Sequence, residues 1–120
     1  MRVFIVDDSE ILRKMLVAKL SKLPNVNIVG EAKDVTTAKH LLDEIEYGLA
    51  IYDINMPNGS GIDLMKYTKK KYPSTKIIIM TNYSIGDYKE RSLEAGANYF
   101  FDKSDLDEMI TLIEQLSKKE

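Results

Sequence analysis

Acidic, hydroxyl and amino side chains recur at the points where apolar segments of the chain end. Asp7 and Asp8 follow one such segment and Asp53 follows another, while Thr81 and Lys103 end two more. Clustered carboxylates bind hard cations and act as nucleophiles, and a lysine supplies a positive charge on a flexible stem. Each residue alone also has an ordinary explanation, because aspartate caps helices and forms turns. Their chemistry therefore depends on whether the fold brings them together.

Five short apolar segments predict buried strands, and the segments between them show apolar residues at helical spacing. This alternation predicts an α/β fold, (βα)5 and doubly wound, in which a five-stranded parallel sheet is covered by helices on both faces. The carboxyl ends of all five strands then meet at one edge of the sheet, where a ligand site is expected. The predicted strands are 3–6, 26–29, 49–52, 76–80 and 97–101.

The predicted helices carry apolar stripes and start signals. The segment 85–94 is the weakest of them, because Gly86 lies in its first turn and its stripe is sparse, so we expect it to be the most mobile helix. The stripe of the first helix comprises Ile11, Leu12, Met15, Leu16 and Leu20, and that of the last comprises Leu106, Met109, Ile110, Ile113 and Leu116. Capping boxes predict three helix starts, at Ser60 with Asp63, Ser84 with Asp87 and Ser104 with Asp107.

Length and composition narrow the class of protein. A chain of 120 residues fits a single domain over residues 1–120, and 44% hydrophobic with 30% charged residues is typical of a globular protein. The net charge of -2 argues against nucleic acid as a direct partner. Without cysteine, neither disulfides nor thiolate chemistry is available, and the apolar runs are too short to span a membrane, so we expect a cytoplasmic protein. The lone His40 is interpreted as a solvated residue and not as a phosphohistidine carrier.

Four motifs give the chain a resemblance to the receiver domain of bacterial two-component response regulators, the chemotaxis-type, flavodoxin-like fold. They are VFIVDD, YDINMPNGSG, IIIMTN and FFDKS, which occur in the family's order and together span essentially the whole chain. The resemblance implies the strand order 2-1-3-4-5, so that the first and third strands are neighbours and Asp8 faces Asp53. Two carboxylates this close favour a divalent cation or a shared proton between them.

The resemblance also implies a role for each residue of the site. Asp53 is the residue that is phosphorylated, and Lys103 and Thr81 contact the phosphoryl group. A Mg²⁺ ion, or another hard divalent ion such as Mn²⁺, is bound by Asp8, by the Asp53 side chain and by the Asn55 backbone carbonyl, with Asp7 acting through water.

A conformational switch is implied as well. On phosphorylation, Thr81 donates a hydrogen bond to the new phosphoryl group and an aromatic residue on the fifth strand, here Phe100, turns inward. It is equally open that Phe100 is a plain core residue. Gly61 is expected to give the loop after Pro57 its backbone freedom. Ser104 replaces the proline that often follows the lysine in this family, which removes the usual reason for a cis peptide there.

The implied function is a phosphorylation-controlled interaction module and not an enzyme. Its partners would be a sensor histidine kinase or phosphotransfer protein and an unknown target or fused output domain, bound through the fourth helix, fifth strand and fifth helix; a phosphorylation-dependent homodimer is a further option. The chain could also be the receiver part of a longer DNA-binding regulator.

Three competing hypotheses belong to different classes of protein. The first is a receiver that signals without phosphate, against which the complete set of site residues argues. The second is a haloacid dehalogenase-type phosphatase, whose chemistry requires an aspartate as general acid and base at the position that Asn55 occupies here. The third is a flavin carrier, whose phosphate the acidic loop after the first strand would repel.

Overall fold

The computed structural model describes residues 1–82 and 87–119 of the chain. Five strands form one parallel sheet and two further strands form a small antiparallel hairpin. The strands are β1 (Arg2–Val6), β2 (Asn27–Ala32), β3 (Leu49–Asp53), β4 (Asn55–Met56), β5 (Gly59–Ser60), β6 (Lys76–Thr81) and β7 (Tyr99–Asp102). The helices are α1 (Glu10–Leu20), α2 (Val35–Leu42), α3 (Gly61–Lys71), α4 (Tyr88–Glu94) and α5 (Leu106–Lys118), and a 3-10 turn, Lys103–Asp105, precedes α5.

The main sheet has the order β2-β1-β3-β6-β7, which confirms the expected order 2-1-3-4-5 once the small hairpin is set aside. All neighbouring pairs in it run parallel. The central strand β3 is buried along its whole length, because helices cover both faces of the sheet. Among residues 1–82 and 87–119, no helix combines the length and the apolar character that a membrane-spanning segment needs.

Side chains that alternate along the strands build two separate cores. One core lies between the sheet and helices α1 and α5, and includes Ile5, Ile51 and Met109. The other lies on the face covered by α2 and α3, and includes Phe4 and Tyr52. Because successive strand residues point to opposite faces, neighbouring positions of β3 contribute to different cores.

Several local predictions need correction. Ile11 is 82% exposed and Met15 is also exposed, so the apolar stripe of α1 is narrower than the sequence indicated. Ser60 does cap α3 by accepting a hydrogen bond from the backbone N–H of Asp63. Ser104 does not start α5, because it lies inside the preceding 3-10 turn, where its own N–H and hydroxyl donate to Asp102 Oδ1.

Two further predictions concern the segment before α4. The predicted start at Ser84 and the first turn with Ile85 and Gly86 lie outside the described residues. The described part of this helix is the seven-residue α4, preceded by Asp87, whose side chain makes no capping hydrogen bond within the described part of the chain.

The hairpin of β4 and β5 was not predicted. It is joined by Pro57 and Asn58, and Asn58 has a positive φ of 69°. A proline followed by a residue with positive φ is typical of a type II turn, which suits the Pro-Asn-Gly sequence. This hairpin carries the chain directly from Asp53 into α3.

Candidate functional site

The register of the sheet sets which polar residues lie level with one another at its carboxyl edge. Val6 pairs with Tyr52, so the next residues along, Asp7 and Asp53, come level across β1 and β3. Asp8 thus lies one residue beyond the level position, but one of its carboxylate oxygens still comes within 4.8 Å of an Asp53 carboxylate oxygen. On the other side of β3, Asp53 pairs with Met80, and Thr81 pairs with Asp102 of β7.

Asp7 is the most enclosed acid of the site, with no exposed surface. Its Oδ1 accepts a hydrogen bond of 2.8 Å from the backbone N–H of Ser9, and its Oδ2 lies 2.9 Å from Lys103 Nζ. Asp8, by contrast, is exposed. The two adjacent acids thus differ, because one is held inside the site by two partners and the other faces solvent at its rim.

Lys103 connects the two buried acids. Its Nζ lies 3.3 Å from Asp53 Oδ2 in addition to its contact with Asp7, and only 12% of its side chain is exposed. Burial alone would lower the pKa of Lys103, but the hydrogen bond to Asp7 and the charges of Asp53 and Asp7 outweigh burial and raise it. Lys103 is therefore a fixed positive charge between two carboxylates. The peptide bond that joins it to Ser104 is trans.

Asp53 is only 5% exposed, and the negative charge of its carboxylate is only partly offset by Lys103. Burial, followed by repulsion from Asp7, raises the pKa of Asp53 to about 6, although Lys103 opposes this rise. A buried carboxylate beside a second one is destabilised until a cation or a proton relieves the repulsion. The site is thus arranged to gain from an added positive charge.

The three aspartates together form a candidate cation site. One carboxylate oxygen from each of Asp7, Asp8 and Asp53 lies within 4.8 Å of the others. This donor set contains oxygen alone, which suits a hard divalent ion such as Mg²⁺ or Mn²⁺. Asp7 Oδ2 is fully buried and, among the described residues, has its ion pair with Lys103 as its one polar contact, so it retains capacity for a further cation. Asn55 lies two residues beyond Asp53, exposed, at the start of β4.

Gly61 is required for a different reason from the one the sequence indicated. A Cβ atom at this position would overlap the backbone carbonyl of Asp53 and lie 3.2 Å from the Ile54 Cα. The N–H of Gly61 also donates a 2.8 Å hydrogen bond to the carbonyl oxygen of Ile54. Close approach between the start of α3 and the end of β3 therefore excludes a side chain here, and no positive φ is involved.

The two proposed switch residues lie on β6, which is the neighbour of β3, and on β7, which is the next strand beyond β6. Thr81 is fully buried at the end of β6. Phe100 is level with Ile79 of β6, is half-buried, and packs against the core that also contacts Tyr88 and Ala95 near α4. Phe100 therefore lies on the strand that pairs with the Thr81 strand, and it packs against the same core as Tyr88 of α4, the helix that we expected to be the most mobile.

Two residues of the site were not predicted. Ser9, and not Asp8, is the N-cap of α1, and its hydroxyl accepts from the N–H of Leu12. Arg13 donates a 2.5 Å hydrogen bond from its guanidinium to the Asp7 carbonyl oxygen. The sequence contained a signal for both, because a serine before an acidic first turn is typical of an N-cap and a side chain four residues later leans back over it.

Comparison with known proteins agrees with this geometry. The sequence pattern of the response regulator receiver domain matches residues 3–114 of the chain. The chain therefore belongs to the response regulator receiver domain family. Membership of this family replaces the hypotheses of a dehalogenase-type phosphatase and a flavin carrier.

Individual relatives support the same assignment. The transcriptional regulatory protein LiaR of Bacillus subtilis is 31% identical over 120 residues, which are 99% of this chain and 57% of LiaR. The DNA-binding transcriptional activator DevR/DosR of Mycobacterium tuberculosis is 32% identical over 97 residues, 81% of this chain and 45% of the activator. The chain thus spans about half the length of the curated relatives it matches.

Solved structures show the same fold. The response regulator domain of Thermotoga maritima CheB matches with a TM-score of 0.85 and 27% identity, covering 99% of this chain and 94% of that one. The isolated REC domain of RcsB from Salmonella enterica serovar Typhimurium, studied with the phosphomimetic BeF3-, matches with a TM-score of 0.81 and 31% identity, covering 87% and 78% of the two chains.

Proposed function

We propose that this receiver domain accepts a phosphoryl group on Asp53, with the help of a divalent cation, and signals by changing the surface that a partner recognises. The observation that carries this proposal is the position of Lys103, whose Nζ lies 3.3 Å from Asp53 Oδ2 and 2.9 Å from Asp7 Oδ2. A charge held there is suited to neutralise the oxygens of a phosphoryl group attached to Asp53.

The reaction assigned to Asp53 is an in-line displacement. A carboxylate oxygen of Asp53 attacks the phosphorus of a phosphohistidine on the partner, the new P–O bond forms, and the P–N bond breaks with its electron pair on the imidazole nitrogen. Attack requires the ionised form of Asp53, whose pKa of about 6 leaves it mostly deprotonated near neutral pH. Lys103, held beside Asp53, pairs with an oxygen of the transferred group, while Thr81 donates a hydrogen bond to that group.

Asp7, Asp8 and Asp53 are the side chains that would hold the cation, together with the Asn55 carbonyl. A bound Mg²⁺ supplies charge neutralisation of the transferring oxygens and of the acidic cluster. The proximity of the three carboxylates supports direct ligation by Asp7 or by Asp8, and the ion pair between Asp7 and Lys103 favours Asp8 as the more available ligand. Asp7 then acts by holding Lys103 and, through water, the cation.

Phosphorylation is tested by intact-mass measurement after incubation with acetyl phosphate and Mg²⁺. We expect the mass of one phosphoryl group to be gained by the wild type and lost again on treatment with hydroxylamine, which cleaves acyl phosphates. Asp53→Asn should show no gain, while Asp63→Asn, which changes an exposed aspartate at the start of α3, should gain as the wild type does. A gain that persists in Asp53→Asn would refute the assignment.

We infer that a sensor histidine kinase or phosphotransfer protein is the donor and that α4, β7 and α5 form the surface read by a target. Phe100 on β7 and the partly exposed Leu93 on α4 support this choice. The relative DevR/DosR is a DNA-binding transcriptional activator, which supports a DNA-binding output region as the favoured target. In this proposal the domain itself, residues 1–120, is not an enzyme, binds no nucleic acid and works in the cytoplasm.

A homodimer that forms on phosphorylation is the further partner to test. The phosphomimetic BeF3- was present in the RcsB receiver structure that this chain resembles, so the same reagent is a suitable probe. Light scattering with and without BeF3- and Mg²⁺ should show a mass shift in the wild type and none in Asp53→Asn. A constant monomer mass under both conditions would remove the homodimer from the proposal.

A further inference from the structure

Arg13 connects α1 to the acidic site without reaching the reacting groups. Its guanidinium donates a 2.5 Å hydrogen bond to the backbone carbonyl of Asp7, and its Nε lies 3.5 Å from Glu31 at the end of β2. Only 15% of the Arg13 side chain is exposed, although arginine is usually a surface residue. A guanidinium this enclosed is held in one position by two partners.

The position of Arg13 follows from the start of α1. Ser9 is the N-cap, and the N–H of Arg13 donates to the Ser9 carbonyl oxygen at 3.0 Å in the first helical turn. Side chains on a helix lean toward its N-terminus, so the guanidinium reaches back over Ser9 to the end of β1. It therefore contacts the segment after β1 that carries Asp7 and Asp8.

Asp7 is held through every polar group it has. Its N–H donates to the Ala32 carbonyl oxygen at 3.1 Å, its carbonyl accepts from Arg13, its Oδ1 accepts from Ser9, and its Oδ2 pairs with Lys103. Of these, the bond from Arg13 fixes the peptide plane between Asp7 and Asp8. The direction of that plane determines where the Asp8 side chain leaves the backbone.

We propose that Arg13 is a positioning residue, which holds the Asp7–Asp8 peptide so that the two carboxylates converge with Asp53 on one cation. This inference rests on the proposed function, because it assumes that the acidic cluster binds Mg²⁺. Arg13 acts through the backbone of Asp7 and touches neither the cation nor the phosphoryl group. Residues that orient metal ligands typically contribute about 10 to 100-fold to metal affinity.

The two possible roles of Arg13, as a plain charge and as a positioning residue, predict opposite changes in Mg²⁺ affinity when Arg13 is removed. As a plain positive charge near three carboxylates, Arg13 opposes cation binding, so its removal would strengthen binding of Mg²⁺. As a positioning residue, it supports binding, so its removal would weaken it. The sign of the change in affinity therefore distinguishes the two roles.

The test compares Mg²⁺ dissociation constants from isothermal titration calorimetry. Arg13→Met keeps the apolar stem and removes the guanidinium, and Arg13→Lys keeps the charge but is too short to reproduce the contact. Lys14→Met is the matched control, since Lys14 is the neighbouring exposed cation and pairs only with Glu10 among the described residues. We expect Mg²⁺ binding about tenfold weaker in Arg13→Met, weakened to a smaller extent in Arg13→Lys, and unchanged or slightly tighter in Lys14→Met.

A second measurement needs no metal. In the metal-free protein, the backbone N–H of Ser9 should exchange with deuterium faster in Arg13→Met than in the wild type, because its acceptor on Asp7 is no longer fixed. Equal or tighter Mg²⁺ binding in Arg13→Met would overturn the inference. If Arg13→Met does not fold, wild-type affinity in Arg13→Lys would overturn it. A wild type that binds no Mg²⁺ would instead refute the proposed cation site, and this inference with it.

Discussion

Tyr52 and Asp53 are neighbours on β3, yet the fold treats their buried polar groups in opposite ways. The Tyr52 hydroxyl lies 2.7 Å from Thr68 Oγ1 and 3.3 Å from the Tyr47 hydroxyl, on the α3 side of the sheet. Thr68 donates its own hydrogen to the Leu64 carbonyl oxygen, so Tyr52 donates to Thr68 and Tyr47 donates to Tyr52. This hydroxyl cluster of Tyr47, Tyr52 and Thr68 is neutral and internally satisfied.

The acidic site around Asp53 is the contrasting case. Here two buried carboxylates share one lysine, and the pKa of Asp53 is raised to about 6 by burial and by Asp7. The pKa of Tyr52 is also raised, chiefly by burial, but this keeps Tyr52 in the neutral form that its neighbours require. A buried polar group thus supports stability when its ordinary charge state matches its partners, and supports ligand binding when it does not.

The largest expected effect comes from the backbone that joins the two regions. Gly61→Ala places a Cβ against the Asp53 carbonyl, which can move only by disturbing β3, so we expect a loss of about 3 kcal/mol or more in the free energy of unfolding. Urea denaturation measures it. Asn58→Gly in the same hairpin, where a positive φ suits glycine, should change stability by less than about 1 kcal/mol. A Gly61→Ala protein as stable as Asn58→Gly would contradict the close approach.

The second effect is a gain in the free energy of unfolding, from the substitution Asp53→Asn. The folded pKa of Asp53 lies above its unfolded value of 3.8, so the wild type loses stability as pH rises from about 3.8 to about 6. Asp53→Asn has no such loss, and in metal-free buffer near pH 7 it should be more stable than the wild type by at most about 3 kcal/mol. Urea denaturation near pH 4 and near pH 7 should show this advantage only at the higher pH, and an advantage that shrinks with rising pH would rule out the raised pKa.

A smaller effect is expected in the hydroxyl cluster. Thr68→Val removes the acceptor of the Tyr52 hydroxyl and should cost about 1 to 2 kcal/mol of unfolding free energy. Adding Tyr52→Phe removes the stranded Tyr52 hydroxyl but also the acceptor of the Tyr47 hydroxyl, so the double variant should lose less stability than the sum of the losses in Thr68→Val and Tyr52→Phe. Phosphorylation of Asp53 should be normal in both variants. Additive losses would show that Tyr52 and Thr68 are not coupled, and a defect in phosphorylation would show that the hydroxyl cluster and the acidic site are not separate.

The smallest effect concerns α4. Within Tyr88–Glu94 the buried residue is Ser92, whose hydroxyl has no hydrogen-bond partner among the described residues, while Leu93 is 42% exposed. Such a helix lies at the low end of local opening free energies, so phosphorylation should change its amide exchange while α5 stays constant. Hydrogen exchange with and without BeF3- measures this, and equal protection of α4 in both states would count against it as the moving element.

Much of the fold was readable from local sequence. Apolar strand segments alternating with helical stripes predicted the βα repeats, because burial on both faces of a parallel sheet demands nearly continuous apolar strands. The prediction of helix starts was less reliable. Ser60 caps α3 as its sequence indicated, but Ser104 lies in a 3-10 turn, where its N–H donates to Asp102 Oδ1. The exposure of Ile11 was not readable either, because the width of an apolar stripe does not say how much of it a neighbour covers.

The sequence by itself determined which side chains stand at the carboxyl ends of the strands, because strand length and apolar pattern are local properties. Only the tertiary structure decided that Asp7 and not Asp8 is level with Asp53, that Lys103 spans both, and that Arg13 holds the Asp7 carbonyl. The contacts of Lys103 and the pairing of β1 with β3 join segments that are distant in the chain, and register and burial set them jointly. The raised pKa of Asp53 belongs to the same class, since it arises from burial and from a charge on another strand.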